Sequence, residues 1–223
     1  MAIGYAAAAL FAAAILVHFI AAVRGLEALR CITKALLMPL LAVTFVLFWT
    51  EFTPAPLPWR VALGLIAGCA GDIALLDHRN AVGLSVGLAF FFVGHVLYIG
   101  QLYGLMTPPP GWWIAVAAVI VLSVLWQIFR KLRHFLPKLQ LFAGPLYFLL
   151  LGTLSASAAL DAFATLNAGS FLLLGGTLLF LLSDTFLAFE VFRGETRHSY
   201  VKVMAPYIAA QTLIAAGFFL RMI

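Results

Sequence analysis

Charged side chains are scarce in this chain. Asp, Glu, Lys and Arg make up 9% of its 223 residues, whereas a soluble globular protein carries about 25%. Hydrophobic residues make up 65%, and a chain of this length leaves no room beside them for a separate soluble domain. The composition therefore excludes a soluble enzyme and predicts a polytopic membrane protein.

Cysteine is scarce as well. Cys31 and Cys69 are too few for a disulfide framework, so we interpret both as thiols packed in apolar surroundings. The formal net charge of +5 does not indicate nucleic-acid binding, because the basic residues are spread over short loops. The apolar N-terminus lacks the basic segment and the cleavage site of a signal peptide, so we predict that it is a retained first helix.

Long apolar runs are what the chain does contain. A membrane-spanning helix needs about 20 apolar residues, and eight runs approach that length between Pro, Gly, Asn and Asp clusters that helices avoid. We therefore predict an all-α fold, a bundle of eight transmembrane helices that forms a single transmembrane domain over residues 1–223. The predicted spans are 2–23, 33–50, 61–77, 81–103, 112–129, 139–160, 169–192 and 201–221.

The distribution of basic residues predicts the orientation. Eleven of the 13 lysines and arginines follow the first, third, fifth and seventh spans, and only Arg60 and Arg221 lie on the opposite side. Because cytoplasmic loops carry the excess of Lys and Arg, we predict that those four loops are cytoplasmic and that both termini lie outside the cytoplasm.

Asp72 and Asp184 each lie inside an apolar run long enough to cross a bilayer. A carboxylate at the centre of such a run costs roughly 2.5–3.5 kcal/mol on insertion scales, so function is the default interpretation. At ~1.5 Å of helical rise per residue, Asp72 lies roughly 8 Å and Asp184 roughly 13 Å from the predicted cytoplasmic edge. We predict that both face one cavity that opens toward the cytoplasm.

The spacing of polar residues suggests a repeat. Asp72 and Asp184 are 112 residues apart, and the same offset pairs His95 with Tyr207. These matches favour the hypothesis of a parallel internal duplication of four plus four spans. Polar residues that share a helix face predict further polar side chains in the cavity. These are His95, Tyr98 and Gln101 on one face of the fourth span, and Tyr207 and Gln211, one turn apart, on the eighth.

A row of small residues accompanies the first carboxylate. Gly64, Gly68 and Asp72 recur every four residues and so share one face of the third span. Small residues let a neighbouring transmembrane helix approach closely. We therefore expect another helix to pack tightly against this face.

Four short segments together resemble the YhhN-type lysoplasmalogenase family. They are Gly71-Asp72, the F-x-x-G-H-x-x-Y segment from Phe91 to Tyr98, Ser183-Asp184, and the segment from Tyr207 to Gln211. Their order and placement cover nearly the whole chain. The resemblance implies an eight-span integral protein, here of a bacterial inner (plasma) membrane. It also implies an enzyme that hydrolyses the vinyl ether bond of lysoplasmalogen or a related lysolipid, releasing a fatty aldehyde and glycerophospho-ethanolamine or -choline.

Two buried acids suit that reaction, which begins with slow protonation of the β-carbon of the vinyl ether. Burial favours the protonated form of a carboxylic acid, and a second carboxylate nearby divides the roles of the pair. One aspartate would protonate the substrate. The other would stabilise the oxocarbenium ion and accept a proton from water, as in glycosidases. The sequence leaves open which aspartate takes which role, and the chemistry needs no metal and no cofactor.

The partner that we expect is a lysophospholipid-like substrate among membrane lipids, with its polar head near Lys34, Arg79 or Lys202. Two alternatives remain. Either aspartate could be a structural carboxylate bonded to a Tyr or Gln, and a proton-coupled transporter or lipid-handling protein would also use carboxylates inside the membrane. The concentration of polar residues on the predicted cytoplasmic side favours an enzyme with a one-sided pocket.

Overall fold

The computed structural model describes residues 2–77, 81–194 and 199–223. Over these ranges the fold is all-α, as predicted, with eight α-helices and no strand. Seven of the helices are long and apolar enough to cross a membrane; the other, α3, has 16 residues and continues into a short 3-10 helix, Leu75–Asp77. The helices are α1 Ala2–Arg24, α2 Glu27–Phe52, α3 Trp59–Ala74, α4 Ala81–Tyr103, α5 Gly111–Leu132, α6 Gln140–Thr165, α7 Ala168–Arg193 and α8 Ser199–Met222.

Contacts divide the chain into two compact units. The N-terminal unit comprises Met1–Gln101 together with Ile223, and the C-terminal unit comprises Leu102–Met222. The division falls near the end of α4, so α1 to α4 belong to the first unit apart from the end of α4, and α5 to α8 belong to the second. This is the boundary at which the hypothesis of a four-plus-four duplication divides the chain. The duplication and the single transmembrane domain stay predictions.

Close packing of α3 against α4 organises part of the N-terminal unit. A Cβ atom on Gly64 would lie 2.3 Å from Cε1 of Tyr98, and one on Gly94 would lie 3.2 Å from the carbonyl oxygen of Gly64. Neither position has room for a larger side chain without a shift of its neighbours. The predicted close approach at the small-residue face of α3 is confirmed.

Glycines also bring α7 and α8 together in the C-terminal unit. A Cβ atom on Gly176 would lie 2.9 Å from the carbonyl oxygen of Ala210, and one on Gly217 would lie 2.7 Å from the backbone nitrogen of Leu173. Near the other end of the pair, the Ser183 hydroxyl donates a hydrogen bond to the carbonyl oxygen of Val203 at 2.8 Å. The two helices therefore pack closely from Leu173 and Gly217 to Ser183 and Val203.

The turn between α6 and α7 explains the predicted break around residue 167. Leu166 ends α6 in the left-handed region, with φ of 52°, and Asn167 is the N-cap of α7. The Asn167 side-chain oxygen accepts a hydrogen bond from the Gly169 N–H at 2.7 Å, so it satisfies a donor that the first helical turn leaves without a partner.

The second helix starts earlier than the sequence predicted. Its predicted span was 33–50, but α2 begins at Glu27, directly after a two-residue turn in which Gly25 has φ of 68°. Glu27 forms an ion pair with Arg30 one turn later, which stabilises this first turn. Lys34 therefore lies about two turns inside α2 and not in its first turn.

Candidate functional site

Asp184 of α7 is bonded to a tyrosine of α6. The Tyr147 hydroxyl donates a hydrogen bond to Oδ2 of Asp184. Both side chains are buried, with 4% of Tyr147 and 8% of Asp184 exposed. The bond from Ser183 to Val203 fixes the neighbouring residue of α7 against α8. The Asp184 carboxylate therefore lies between helices. A hydrogen bond from a Tyr is also what the alternative of a structural carboxylate predicts.

Sequence reasoning missed Tyr147. Of the expected polar neighbours on α8, Tyr207 packs its ring edge-on against Phe180, one turn before Asp184 on α7, with centroids 5.5 Å apart, and Gln211 follows one turn further along α8. Both are buried. The available signal for Tyr147 was a phenol inside an otherwise apolar run, two residues after Pro145, which lies within α6.

The carboxylate of the N-terminal unit is also buried. Asp72 is 3% exposed, and its neighbour Gly71 faces the ring of Phe91, which a Cβ atom on Gly71 would approach to 2.9 Å. Phe91, Gly94 and Tyr98 all contact α3, so the F-x-x-G-H-x-x-Y segment is the face by which α4 packs on the helix of Asp72.

The remaining residues of that segment are placed by the same contact. Gly71 faces Phe91 and Gly87, and Gly64 faces Tyr98 and Gly94, so His95 lies on α4 roughly two helical turns from the level of Asp72. His95 and Tyr98 are each 1% exposed, and their rings meet edge-on at 6.3 Å. Asp72 and Asp184 belong to different units, and their sharing of one cavity stays a prediction.

The three predicted head-group residues have separate surroundings. Lys34 is buried in α2, with 9% of it exposed, whereas Lys202 is exposed in the first turn of α8. Arg79 lies outside the described residues. Their binding of a substrate head group stays a prediction.

An apolar slot runs between α5, α6 and α7 of the C-terminal unit. It consists of a cavity of about 320 Å³ and a smaller one of about 40 Å³, and both are lined by Leu125, Ile128 and Phe148. Phe148 follows Tyr147 directly. The smaller cavity is also lined by Gly144 and Ala188, which lie about one turn from Tyr147 and Asp184 on their helices. The slot therefore comes within about one helical turn of the Tyr147–Asp184 hydrogen bond, although neither Tyr147 nor Asp184 is among the residues that line it.

A polar cavity of about 430 Å³ lies at the basic end of the C-terminal unit, which we define as the end that carries Arg130, Lys131, Arg133, Lys138, Arg193 and Lys202. It is lined by Phe186, Phe189, Glu190, Arg193, Gly194, Ser199 and Lys202. At 3.6 residues per turn, its α7 residues lie roughly half a turn around the helix from Asp184. Lys202 thus contributes to a cavity on a different side of α7 from the Tyr147–Asp184 pair.

The model of the YhhN family matches residues 29–218 of the chain. The chain belongs to the YhhN family. No curated protein and no solved structure was found to match it. The four segments that carried the resemblance all lie inside the matched range, as do Tyr147 and the residues that line the apolar slot and the polar cavity. Within the described ranges of this YhhN chain, no group of three His, Cys, Asp or Glu side chains is placed to hold a metal ion.

A third buried carboxylate of this YhhN protein, Asp161, also escaped the sequence analysis. It is 1% exposed in α6 and binds Arg221 of α8 through two hydrogen bonds, Nε to Oδ2 at 3.1 Å and Nη2 to Oδ1 at 3.3 Å. The Ser170 hydroxyl of α7 donates to the same carboxylate, and Arg221 also donates to the Leu105 carbonyl oxygen at 3.2 Å. With its charge paired and its oxygens bonded, Asp161 joins three helices and the segment before α5.

Proposed function

We propose that this protein is a membrane-embedded hydrolase that cleaves the vinyl ether bond of lysoplasmalogen or a related lysolipid. The products would be a fatty aldehyde and glycerophospho-ethanolamine or -choline. Membership of the YhhN family supports the reaction class. The observation that carries the proposal is the buried Asp184 carboxylate, which accepts a hydrogen bond from Tyr147, on the same two helices whose other residues line an apolar slot suited to a hydrocarbon chain.

The reaction needs a proton donor and a group that tolerates a developing cation. Protonation of the β-carbon converts the vinyl ether to an oxocarbenium ion. Water then adds to the ether carbon and loses a proton, which gives a hemiacetal. The hemiacetal hydroxyl then loses its proton as the bond from its carbon to the glycerol oxygen breaks; the glycerol oxygen takes a proton, and the aldehyde leaves. One acid and one carboxylate supply every proton transfer in this sequence.

The hydrogen bond to Asp184 suggests a division of roles. The Tyr147 hydroxyl fixes the position of the Asp184 carboxylate, so we assign to Asp184 the stabilisation of the oxocarbenium ion and the removal of the proton from water. Asp72, buried in α3, would then be the general acid. The assignment requires that the two aspartates reach one substrate, which is part of the proposal.

The apolar slot would hold the alkyl chain of the substrate. From Leu132 to Ala117 its α5 wall is roughly 22 Å long, compared with about 15 Å for half of the hydrocarbon core of a bilayer. Its larger cavity begins near Leu181, one turn from Asp184, and continues to Leu174, away from the basic end. A single-chain lipid in the slot would have its first carbons near Asp184.

The test is release of aldehyde from lysoplasmalogen by the purified protein in lipid nanodiscs. Asp72→Asn and Asp184→Asn should each abolish release while the folded yield is retained. Asp161→Asn is the matched control: it also replaces a buried aspartate, and it should lower stability but keep the turnover rate of the folded fraction. Full activity in either Asp72→Asn or Asp184→Asn would remove that residue from the mechanism.

The same protein in proteoliposomes distinguishes hydrolysis from the transport alternative. A hydrolase forms aldehyde without proton flux. Ligand-dependent proton movement with recovery of intact lipid would instead show a proton-coupled carrier, and the proposal would fail.

A further inference from the structure

A hydroxyl group lies in the wall of the apolar slot. Ser155 of α6 lines the larger cavity and is 6% exposed. The other described residues that line this cavity are Ala, Gly, Val, Ile, Leu and Phe. Within the described ranges, the Ser155 hydroxyl oxygen has no hydrogen-bond partner. The slot therefore contains a polar group that its own walls leave unbonded.

The backbone of α6 is the usual partner for such a hydroxyl. A helical Ser or Thr donates readily to the carbonyl oxygen four residues earlier. Thr153 and Thr165 of the same helix do so, each at 2.8 Å. Ser155 makes no such bond in the part of the chain that the structure describes. Its hydroxyl is therefore available to a ligand in the slot.

The surroundings of Ser155 limit what that ligand can be. Burial of a hydroxyl without a hydrogen bond costs free energy. A water molecule would need about two to four polar partners, which the apolar side chains around Ser155 do not supply. A charged group would be buried there without a counter-ion, and a pure hydrocarbon chain would leave the hydroxyl unbonded. A hydrocarbon chain that carries one neutral oxygen fits both the apolar walls and Ser155.

The position of Ser155 indicates where along the chain that oxygen would lie. Ser155 follows Tyr147 by eight residues on α6, roughly 12 Å along the helix axis. An extended chain advances ~1.3 Å per bond, as the trans peptide backbone does. With the first chain carbon near Asp184, as in the proposed function, Ser155 is level with about carbon 10.

We propose that the slot selects a single-chain lipid whose hydrocarbon chain carries a hydroxyl or keto oxygen at the level of Ser155. Ser155 donates a hydrogen bond to this oxygen and so determines specificity for the chain. The position of the oxygen along the chain rests on the proposed function. The hydrogen bond itself requires only that the lipid is bound, and not that it is cleaved.

The test is native mass spectrometry of the full chain in mild detergent with two lysophosphatidylethanolamines. One carries an octadecanoyl chain, and the other carries the same chain with a hydroxyl group at about carbon 10. Both lipids are esters, so the proposed cleavage of a vinyl ether leaves them intact. The measured quantity is the ratio of the affinity for the hydroxylated lipid to the affinity for the plain lipid.

Ser155→Ala should lower this ratio ~5-fold, the loss expected for one neutral hydrogen bond. The comparison of ratios cancels the cost of transferring the hydroxylated chain, which is the same for both proteins. Ser157→Ala is the matched control, because Ser157 is 4% exposed on the same helix but does not line the slot. It should leave the ratio unchanged.

Three results would overturn the proposal. The ratio could be the same in wild type and Ser155→Ala, which would show that the hydroxyl turns to the α6 backbone and not to the ligand. Ser157→Ala could lower the ratio equally, which would indicate a general change in α6. A chain with its hydroxyl at about carbon 5 could depend equally on Ser155, which would refute recognition at this level. Absence of aldehyde release from lysoplasmalogen would refute the hydrolysis and not this binding, because the two assays use different lipids.

Discussion

The hydroxyl of Tyr147 in α6 donates a hydrogen bond to the carboxylate of Asp184 in α7, and both side chains are buried. Without the hydrogen bond between them, burial of either polar group would cost folding free energy. Together they form a pair in which the tyrosine holds the carboxylate in one position. In the proposed reaction Tyr147 is a positioning residue, since it acts on the substrate through Asp184.

We expect Tyr147→Phe to lower the turnover number roughly 10- to 100-fold, because a hydrogen bond to a charged group contributes about 1.5–3 kcal/mol. KM should change little, since the ring that fills the space remains. The measurement is steady-state aldehyde release in nanodiscs. Tyr5→Phe, at a tyrosine that is 58% exposed, is the control and should behave as wild type. A higher KM at an unchanged turnover number would assign Tyr147 to substrate binding instead.

The apolar slot predicts a dependence on chain length. Ala159 lines the slot about three turns beyond Tyr147 on α6, away from the basic end, so Ala159→Phe should block the far end of the slot. We expect kcat/KM for a long-chain substrate to fall at least ~10-fold, the loss that corresponds to about 1.4 kcal/mol, while a short-chain substrate is cleaved as before. Rates for a series of chain lengths provide the measurement.

The control for this experiment is Ala118→Phe. Ala118 is exposed on α5 beside the slot residue Ala117 but does not line the slot. It should leave the chain-length profile unchanged. An equal loss for short and long chains in Ala159→Phe would show that the slot does not hold the substrate chain.

Asp161 should matter for stability and not for turnover. Arg221 is 18% exposed and keeps its hydrogen bond to the Leu105 carbonyl oxygen, so loss of the Asp161 carboxylate removes a hydrogen-bonded charge pair worth about 1.5–3 kcal/mol. Asp161→Asn should therefore lower the unfolding free energy by a similar amount, measured by denaturant or SDS titration. In a double-mutant cycle with Arg221→Gln, the second substitution should add little to the first. Additive losses would contradict the direct coupling of the two side chains.

The sequence predicted the helices and the two central aspartates because these signals are local. Apolar runs between proline and glycine clusters define the spans, and a lone carboxylate such as Asp72 or Asp184 is costly enough in a membrane to be noticed without a structure. The start of α2 was wrong by six residues, since a charged first turn at Glu27 carries no apolar signal although it is helical.

Partners across helices could not be predicted in the same way. Asp161 lies near the end of a span, where a charge costs little, and its partner Arg221 is 60 residues away. The 112-residue offset relates Asp72 to Asp184 and His95 to Tyr207, but it does not indicate that Tyr147 of α6 donates a hydrogen bond to Asp184. Which faces of two apolar helices meet depends on small residues and on the rotation of each helix, and neither is visible in hydropathy alone.

The face of α3 beside Asp72 gives the last prediction. Gly64→Ala should destabilise the protein by about 1–3 kcal/mol, the usual cost of overpacking a filled interior, because the new methyl group would lie 2.3 Å from Cε1 of Tyr98, which is 1% exposed and has no room to retreat. Gly100→Ala is the matched control in α4. Its methyl group would be 3.8 Å from Cδ of Arg60, an ordinary contact, and alanine is the better helix former by roughly 0.5–1 kcal/mol.

Thermal unfolding of both variants in one detergent should show a lower midpoint for Gly64→Ala and an unchanged or higher one for Gly100→Ala. Equal midpoints would mean that α4 moves away from α3 at little cost, and the tight contact that positions the F-x-x-G-H-x-x-Y segment against the helix of Asp72 would not be a source of stability.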